Sequence, residues 1–567
     1  MKDLNVKFED YPFNPPSQKR IEAKLGKLVQ ELKECGSVRT AVPVIKKWNK
    51  YMNDLYTDMG VIQVRYSLAT NDPVYKKAND KCDEISPVVS NYANMFMKIL
   101  TKAPYRKDLE KLYGPYLFKM YDNSLKCFDE KIIPDLIEEN KLSSKYDAII
   151  GSAQIEFDGK VLNLAQLGKY LQDKDRDVRR RAAIAQDKWF GEHEKEIGEV
   201  YSELVTLRDG MAKKLGYKNF VELGYLRLGR TDYDAKKVKG YREQIEEVVN
   251  PVTQKLWKKQ VKSLGIKKPQ YYDYNLRYLE GNPTPDGDSK YLTNAALKMY
   301  KAMSKESGEF FTMMVNNHLL DLDARAGKTS GGYCTYFPRY KAPFIFSNFN
   351  GTEGDINVLT HEGGHAFQAY LSSGIKIPEY QSPTLESCEI HSMSMEFFAW
   401  PYMKNFTKED VKYKYSHLCD AIEFLPYGIS IDEFQHWVYE HPTATHEERC
   451  AEFRKIELKN LPHKVYDDTP TFAHGGWWLR QGHVFSSPFY YIDYTLAQVV
   501  AFQFLIEDRK NHDKAWKKYV KLCKMGGKLP FTGLLEKDHL RNPFEKGNVA
   551  KNVKPLLKVL KELEEQL

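Results

Sequence analysis

The residues with the clearest chemical potential are the two histidines of the segment His361-Glu362-Gly363-Gly364-His365. Histidines four residues apart project from one face of an α-helix, so both imidazoles can bind the same tetrahedral zinc ion. Glu362 would then face a water molecule held by the metal. Zinc lowers the pKa of such a water from about 15.7 to about 7, and a carboxylate can take its proton during attack on a carbonyl. The pattern therefore predicts metal-assisted amide hydrolysis.

The motif is selective, and its glycines are unusual. With 14 His among 567 residues, chance alone would produce H-E-x-x-H roughly 0.02 times in such a chain. Gly363 and Gly364 inside a helix together cost about 2 kcal/mol relative to alanine. Two explanations are open: close packing against another helix, or room for a peptide beside the metal.

A catalytic zinc site usually has three protein ligands and one open position, so the histidine pair needs a third ligand. The extension H-x-x-G-x-x-H is excluded, because Gln368 and Leu371 occupy its glycine and histidine positions. The third ligand must therefore come from another segment.

The next candidate segment, residues 385–398, has the pattern of a buried helix. Glu386, Glu389 and Glu396 are separated by three and seven residues and share one helix face. Their spacing alone does not choose among them. His391 is a rival ligand, although a lone histidine in such a helix is more often a core group.

Helices must position these groups, because three- and four-residue apolar periodicity dominates the sequence. The predicted helices include residues 21–32, 182–215, 238–256 and 553–567. A small β-sheet is expected directly before the histidine motif. Residues 343–349 are aromatic and β-branched, and residues 331–337 could pair with them.

Composition limits the class of protein. The chain is 42% hydrophobic and 29% charged, and its net charge of +8 comes from 85 basic and 77 acidic residues. Because both signs are interleaved, we expect a solvated surface without nucleic-acid binding. No apolar stretch has the length of a signal peptide or a membrane span, so a soluble, cytoplasmic protein without membrane contact is expected. The eight cysteines form no C-x-x-C pair, which indicates reduced thiols and no cysteine zinc site.

The sequence resembles the thimet oligopeptidase and oligoendopeptidase F family of zinc metallopeptidases, and within it the Pz-peptidase-like bacterial branch. The resemblance rests on the motif 361–365 and on Glu389-Ile390-His391-Ser392 with Glu396 seven residues after the first glutamate. It also rests on a C-terminal segment in which tyrosines follow a histidine. It covers roughly residues 331–503.

The resemblance implies a role for each polar group of these segments. His361, His365 and Glu389 would bind one Zn²⁺ per chain, and Glu362 would be the general base. Glu396 would be a second carboxylate that orients a ligand histidine.

The resemblance also implies a binding edge for the substrate. The strand 344–349 would be an edge strand to which an extended peptide adds through main-chain hydrogen bonds, at Phe346, Ser347 and Asn348. Such binding depends on backbone more than on side chains and tolerates many sequences.

The C-terminal segment is expected to stabilise the oxyanion formed during amide hydrolysis. His483 matches the family's histidine, and Tyr491 and Tyr494 match its tyrosine pair. Pro488 departs from the pattern of some relatives, so the match does not separate Tyr490 from Tyr491; Tyr490 is assigned to substrate binding.

The family fold implies a mainly α protein with two helical lobes around a deep substrate channel. Residues 1–205 would form the N-terminal lobe and residues 206–567 the catalytic domain. We expect a zinc endopeptidase that cleaves short oligopeptides. An exopeptidase with the same metal chemistry is the alternative, and a non-catalytic helical peptide-binding protein is a third possibility. The oligomeric state stays open.

Overall fold

A computed structural model describes residues 6–567. The chain is 70% helical with only small sheets, which confirms the predicted mainly α class. The α-helices are α1 Gln18–Lys33, α2 Val38–Leu68, α3 Pro73–Lys102, α4 Arg106–Tyr113, α5 Pro115–Lys126, α6 Ile133–Gly151, α7 Leu164–Leu167, α8 Arg176–Lys214, α9 Phe220–Arg227, α10 Ala235–Val248, α11 Asn250–Ser263, α12 Ser289–Met303, α13 Lys305–Asn316, α14 Glu353–Ser372, α15 Leu385–Phe398, α16 Asp410–Glu440, α17 His446–Asn460, α18 Pro470–Ala473, α19 Gly482–Ser486, α20 Tyr491–Asp508, α21 His512–Met525, α22 Phe531–Lys537 and α23 Asn548–Glu564.

The predicted helices are present, and one of them is divided. The segment 238–256 belongs to α10 and α11, which meet at Val249. Pro251 lies in the first turn of α11, where its missing N–H leaves no intrahelical bond unmade. Within residues 6–567, no helix combines the length and the apolar character needed to cross a membrane.

The predicted sheet is present, but its order differs from the expectation. Strands β3 (Leu320–Asp323), β4 (Tyr333–Phe337) and β5 (Ala342–Phe349) form a three-stranded sheet in the order β3-β5-β4. β4 pairs with β5 antiparallel, as predicted, whereas β3 adds to the other side of β5 in parallel. The prediction that residues 344–349 form an edge strand is therefore wrong, because β5 is central. A separate hairpin joins β1 (Ile155–Phe157) to β2 (Lys160–Leu162).

The N-terminal helices have a core of their own. Buried residues of α1, α2, α3, α4 and α5 form one cluster, and helices from α6 onward share a second, larger one. Tyr380, after α14, joins the first cluster, where its hydroxyl accepts a hydrogen bond from the Leu117 N–H (2.8 Å). Helix α8 runs without interruption across residues 205 and 206. The division of the chain there stays a prediction.

Helices α14 and α15 approach each other where Gly364 exposes bare backbone. A Cβ at Gly364 would lie 2.6 Å from the His391 carbonyl oxygen and 2.7 Å from Ser392 Cα. A Cβ at Gly363 would collide with the Tyr300 hydroxyl of α12. Close packing therefore explains both glycines of the histidine motif. It also brings the carboxylates of α15 next to the histidines of α14.

Replacing Gly364 by alanine should destabilise the protein. The added methyl group would contact backbone atoms of α15, which cannot rotate away, and overpacking of this kind costs about 1–3 kcal/mol. Thermal unfolding monitored by circular dichroism should show a lower midpoint for Gly364→Ala. Gly374→Ala is the control, because a Cβ there would meet nothing within 4 Å. Equal midpoints for the two variants would contradict the packing argument.

Candidate active site

Two histidines and one glutamate converge between α14 and α15. His361 Nε2 lies 3.2 Å and His365 Nε2 lies 3.3 Å from the same oxygen, Glu389 Oε2. Ligand atoms about 2.0–2.1 Å from a tetrahedral zinc are separated by about 3.3 Å. The three side chains are thus arranged as a candidate metal site, which the spacing of the two histidines anticipated.

Glu389 is held by hydrogen bonds at both of its oxygens. Ser392 Oγ donates to Oε2 (2.8 Å), and the Tyr490 hydroxyl donates to Oε1. Burial opposes ionisation of this carboxyl, yet the His365 and His361 imidazoles hold its pKa well below the usual range. Glu389 is therefore a carboxylate with a fixed orientation, as a metal ligand must be.

The other two candidates for the third ligand point elsewhere. Glu386 lies beside Asp493 and Arg230, and burial, with the Asp493 charge, raises the pKa of Glu386 to about 8. His391 is buried, its ring lies against Tyr519, and its carbonyl accepts a hydrogen bond from the Tyr519 hydroxyl (2.9 Å). His391 is a core residue. Of the candidates that spacing left open, Glu389 is the one whose carboxylate meets both histidines.

A chain of hydrogen bonds fixes the orientation of His361. Its Nδ1 lies 2.6 Å from Glu396 Oε1, and Glu396 Oε2 lies 2.7 Å from His417 Nε2. The Trp400 indole N–H donates to His417 Nδ1 (2.9 Å), so in the neutral ring the His417 proton is on Nε2 and faces the carboxylate. Glu396 in turn accepts the Nδ1 proton of His361. This directs His361 Nε2 towards Glu389, where it could bind a metal once its own proton is released.

Glu362 lies beside the three candidate ligands and is 7% exposed. Its Oε2 atom is buried and has no hydrogen-bond partner among the described residues. Burial raises the pKa of Glu362, and the His361 and His365 rings offset this effect in part. An unpartnered carboxylate oxygen in a buried polar site is able to take a proton from a bound molecule.

His483 and Tyr494 form a hydrogen-bonded pair at the same site. Burial lowers the pKa of His483 to about 4, so its imidazole is neutral at neutral pH. The Tyr427 hydroxyl donates to Gln481 Oε1 (3.0 Å), and the Gln481 amide donates to His483 Nδ1 (2.8 Å). His483 Nε2 then carries the proton and donates to the Tyr494 oxygen (3.1 Å). Because Tyr494 accepts in this bond, its own hydroxyl proton can donate to a second group.

The structure separates Tyr490 from Tyr491. The Tyr490 hydroxyl contacts Glu389, and its ring centroid lies 5.0 Å from that of Tyr494. The Tyr491 ring packs edge-on against Phe424 and Tyr427, with centroids 5.7 Å away in both cases. Of the two, Tyr490 is the one that reaches the candidate ligands. It was expected to contact substrate.

Phe489 explains how Tyr490 is aimed. Its φ of 67° is in the left-handed region, which is rare for a bulky side chain. Gln435 Oε1 accepts from the Phe489 N–H (2.9 Å), and Arg230 donates to its carbonyl (2.7 Å). Both backbone groups are thus anchored, and the turn they fix directs Tyr490 towards Glu389.

The three residues assigned to an edge strand belong to the central strand β5. Phe346 is buried and stacks on Tyr333, with ring centroids 4.7 Å apart. Ser347 is 3% exposed, and the Asn348 side-chain amide donates to backbone carbonyls at both ends of the segment 329–331 (2.8 Å each). Their strand, β5, is paired on both sides at Phe346, which excludes a free edge there, and its pairing with β4 ends at that residue. A peptide contact at Ser347 or Asn348 stays a prediction.

Sequence reasoning missed the groups that hold the candidate catalytic residues in place. His417 has no spacing relation to Glu396 that would single it out, because it reaches the carboxylate through tertiary packing. Trp400 lies four residues after Glu396 but contacts His417, so its role depends on the same packing. Gln481 lies two residues before His483, and only its hydrogen bond identifies it. Ser392 follows Glu389 by three residues on the same helix, and that spacing could have been noticed.

A separate cavity of about 520 Å³ lies between the N-terminal helices and the segment that leads into α15. Its lining includes Tyr116 and Asn123 of α5, Arg227 of α9 and Leu385 of α15. None of the candidate catalytic residues lines it.

Known proteins resemble this chain along nearly its full length. It is 23% identical over 517 residues to the oligoendopeptidase F homolog of Borreliella burgdorferi, with 86% of this chain and 85% of that protein aligned. A solved structure of PZ peptidase A with an inhibitor shares 45% identity and a TM-score of 0.97 over 99% of this chain and 100% of the other. Oligoendopeptidase-F of Enterococcus faecium has a TM-score of 0.63 at 14% identity over 97% of each chain, which shows a shared fold alone.

Profiles of one peptidase family match most of the sequence. The Peptidase M3 N-terminal domain matches residues 8–128, and Peptidase family M3 matches residues 169–552. The second match alone spans more than half of the chain. The protein therefore belongs to peptidase family M3 and is a metallopeptidase.

Proposed function

We propose that this metallopeptidase is a zinc endopeptidase that cleaves internal bonds of short oligopeptides. The observation that carries the proposal is the convergence of His361, His365 and Glu389 around one point, with the unpartnered carboxylate of Glu362 beside them. Its similarity to an oligoendopeptidase F homolog and to PZ peptidase A supports peptide substrates that are cleaved internally.

The three candidate ligands fit zinc in type and in geometry. Two neutral imidazole nitrogens and one carboxylate oxygen are a common catalytic zinc set, and their separations of 3.2 and 3.3 Å match the edges of its coordination sphere. Bound there, zinc would polarise a peptide carbonyl and make water nucleophilic near neutral pH. In the metal-free chain Glu389 and Glu396 hold the pKa of His361 well above its usual value despite burial, so metal binding must release a proton.

Glu362 would move the proton during hydrolysis. Its free Oε2 takes one proton from the attacking water, whose oxygen forms the new bond to the carbonyl carbon. The same carboxyl then gives that proton to the amine nitrogen as the carbon–nitrogen bond breaks. Having given up that proton, Glu362 is ionised again. The second proton of the water stays on the new carboxyl group and is then released to solvent, so the products are a carboxylate and an amine.

Tyr494 would stabilise the negative charge that develops on the carbonyl oxygen. His483 already donates to its oxygen, so the phenol proton is available for a hydrogen bond to the substrate. Such a donor acts mainly in the transition state, when the oxygen is most negative. Tyr490, which donates to Glu389, lies beside it and would hold the ligand carboxylate at the same time.

Strand β4 replaces β5 as the proposed docking edge for the peptide. It pairs with β5 on one side only, and its residues are half-buried up to Tyr336. Gly332, directly before it, is exposed, and a Cβ there would lie 3.7 Å from Glu362 Oε1. A peptide paired with β4 would therefore reach the candidate base. Main-chain pairing explains how one site could accept many sequences.

Replacing Glu362 by glutamine tests the catalytic role. We expect the wild type to cleave an internally quenched peptide that is blocked at both ends, and Glu362→Gln to retain one zinc in this site yet lose at least about 10³-fold in kcat, because the amide cannot accept the proton. Zinc content and fluorescence assays check the two expectations. Normal cleavage by Glu362→Gln would refute the mechanism, and cleavage that requires a free terminus would favour an exopeptidase.

Replacing Glu396 by glutamine tests the orientation of His361. An amide has one acceptor oxygen and cannot accept protons from both His361 and His417 as the carboxylate does. Zinc affinity, measured by competition with a chelator, should fall about 10–100-fold. Glu386→Gln is the matched control on α15, because that buried glutamate lies outside the candidate ligand set. Equal zinc affinities of the two variants would contradict the proposed role of Glu396.

Removing the Tyr494 hydroxyl tests oxyanion stabilisation. Tyr494→Phe should lower kcat about 10²–10³-fold with little change in KM, because the lost bond strengthens only in the transition state. Steady-state kinetics on the same quenched peptide measure both constants. Tyr402→Phe, at a half-buried tyrosine outside the site, should leave both unchanged. A Tyr494→Phe enzyme with wild-type kcat would show that this hydroxyl does not serve the oxyanion.

A further inference from the structure

A second group of metal-ligating side chains lies outside the candidate active site. Glu194 of α8, His446 and Cys450 of α17, and His474 after α18 meet at one place. The ligand atoms of Glu194, Cys450 and His474 lie within 4.8 Å of one another. We propose that these four residues bind a second zinc ion, which has a structural role.

The contacts of the cluster match a closed coordination sphere. His446 Nε2 lies 2.8 Å from Glu194 Oε1 and 3.4 Å from Cys450 Sγ. His474 Nε2 lies 3.0 Å from Glu194 Oε1. Nitrogen and oxygen ligands of a tetrahedral zinc are separated by about 3.3 Å, and a sulfur ligand, with its longer bond of about 2.3 Å, lies slightly farther from them. The ligand atoms of Glu194, Cys450 and His474 already lie close enough together for one ion. A shift of the His446 side chain, which contacts Glu194 and Cys450, would add the fourth ligand.

The helices around the cluster are shaped to let these side chains meet. A Cβ at Gly198 of α8 would lie 2.7 Å from His446 Nδ1, so bare backbone makes room for that imidazole. Gly475 adopts a φ of 112°, and a Cβ there would collide with the Cys450 carbonyl oxygen. Glycine at this position lets the turn that carries His474 approach α17 closely.

The chemical types of the four groups favour zinc over other common ions. One sulfur, two imidazoles and one carboxylate suit a borderline-soft divalent ion, whereas Ca²⁺ and Mg²⁺ require oxygen ligands. Cys450 is 1% exposed, and the fully buried Trp478 closes the cluster on the side of His446, with ring centroids 5.9 Å apart. His474, 47% exposed, is on the solvent side. A site with four protein ligands has no open position, which is typical of structural zinc.

A metal at this place would fix the start of the segment that leads to His483, the hydrogen-bond partner of Tyr494. His474 precedes the helical turn Gly476–Arg480, which leads directly to Gln481 and His483. Binding His474 to α8 and α17 would therefore tie down one end of this segment. The inference does not depend on the proposed peptidase mechanism, because none of its four ligands belongs to the candidate active site.

Cobalt substitution distinguishes this site from the candidate active site, which has no sulfur ligand. We expect metal-free protein titrated with Co²⁺ to bind two equivalents and to show a thiolate-to-cobalt charge-transfer band in the near ultraviolet. The double variant His361→Ala/His365→Ala should lose one equivalent and keep the band. Cys450→Ser should lose the band and one equivalent, whereas Cys82→Ser, at another buried cysteine, should match the wild type.

The wild-type titration decides the question even when a variant fails to fold. A wild-type protein without the charge-transfer band at excess Co²⁺ overturns the proposal, as does a band that persists in Cys450→Ser. His474→Ala, at a half-exposed ligand, is the second variant. It should weaken cobalt binding at the thiolate site at least about tenfold, and unchanged affinity would also overturn the proposal.

Discussion

The close contact of α14 with α15 is the constraint on which the candidate active site depends. Gly364 lets the two backbones meet at His391 and Ser392, and no residue with a side chain could be placed there without moving one helix. At this spacing the carboxylates of Glu389 and Glu396 reach the histidines of α14 directly. Tyr490 and His417 then form hydrogen bonds with these two carboxylates and not with the histidines: Tyr490 with Glu389, and His417 with Glu396.

Much of this arrangement could be predicted from local sequence. Helical periodicity places His361 and His365 on one face of a helix, because helix geometry fixes which residues share a face. The search for a third ligand in the next helix left three glutamates and His391 as candidates. The final choice of Glu389 required either resemblance to a family or the structure. The mainly α class could also be predicted from local sequence, because apolar residues recur at three- and four-residue steps. His417 could not be found, because it contacts Glu396 only through the packing of α16 against α15.

Non-local pairing accounts for the main error. Residues 331–337 and 342–349 form a hairpin-like pair that local pattern reveals, but β3 joins β5 in parallel from a distance in sequence, and its four residues have no distinctive pattern. The position of Tyr490 was similarly hidden, because the left-handed turn at Phe489 is imposed by Gln435 and Arg230. The sequence indicated no cysteine zinc site for the same reason: the residues that meet Cys450 from α8 and from the turn after α18 are remote in the chain.

The position of β4 has a consequence for how the length of a substrate is sensed. This edge has five residues, which at about 3.3 Å per residue gives a ladder about 17 Å long. The strand begins just after Gly332, which lies beside Glu362. A peptide paired with β4 would therefore form main-chain hydrogen bonds on one side of the cleaved bond only. Lengthening the substrate on that flank would add hydrogen bonds until the strand ends. Lengthening it on the other flank would add no hydrogen bonds from this sheet. Binding affinity would therefore depend on the number of residues on the β4 side of the cleaved bond.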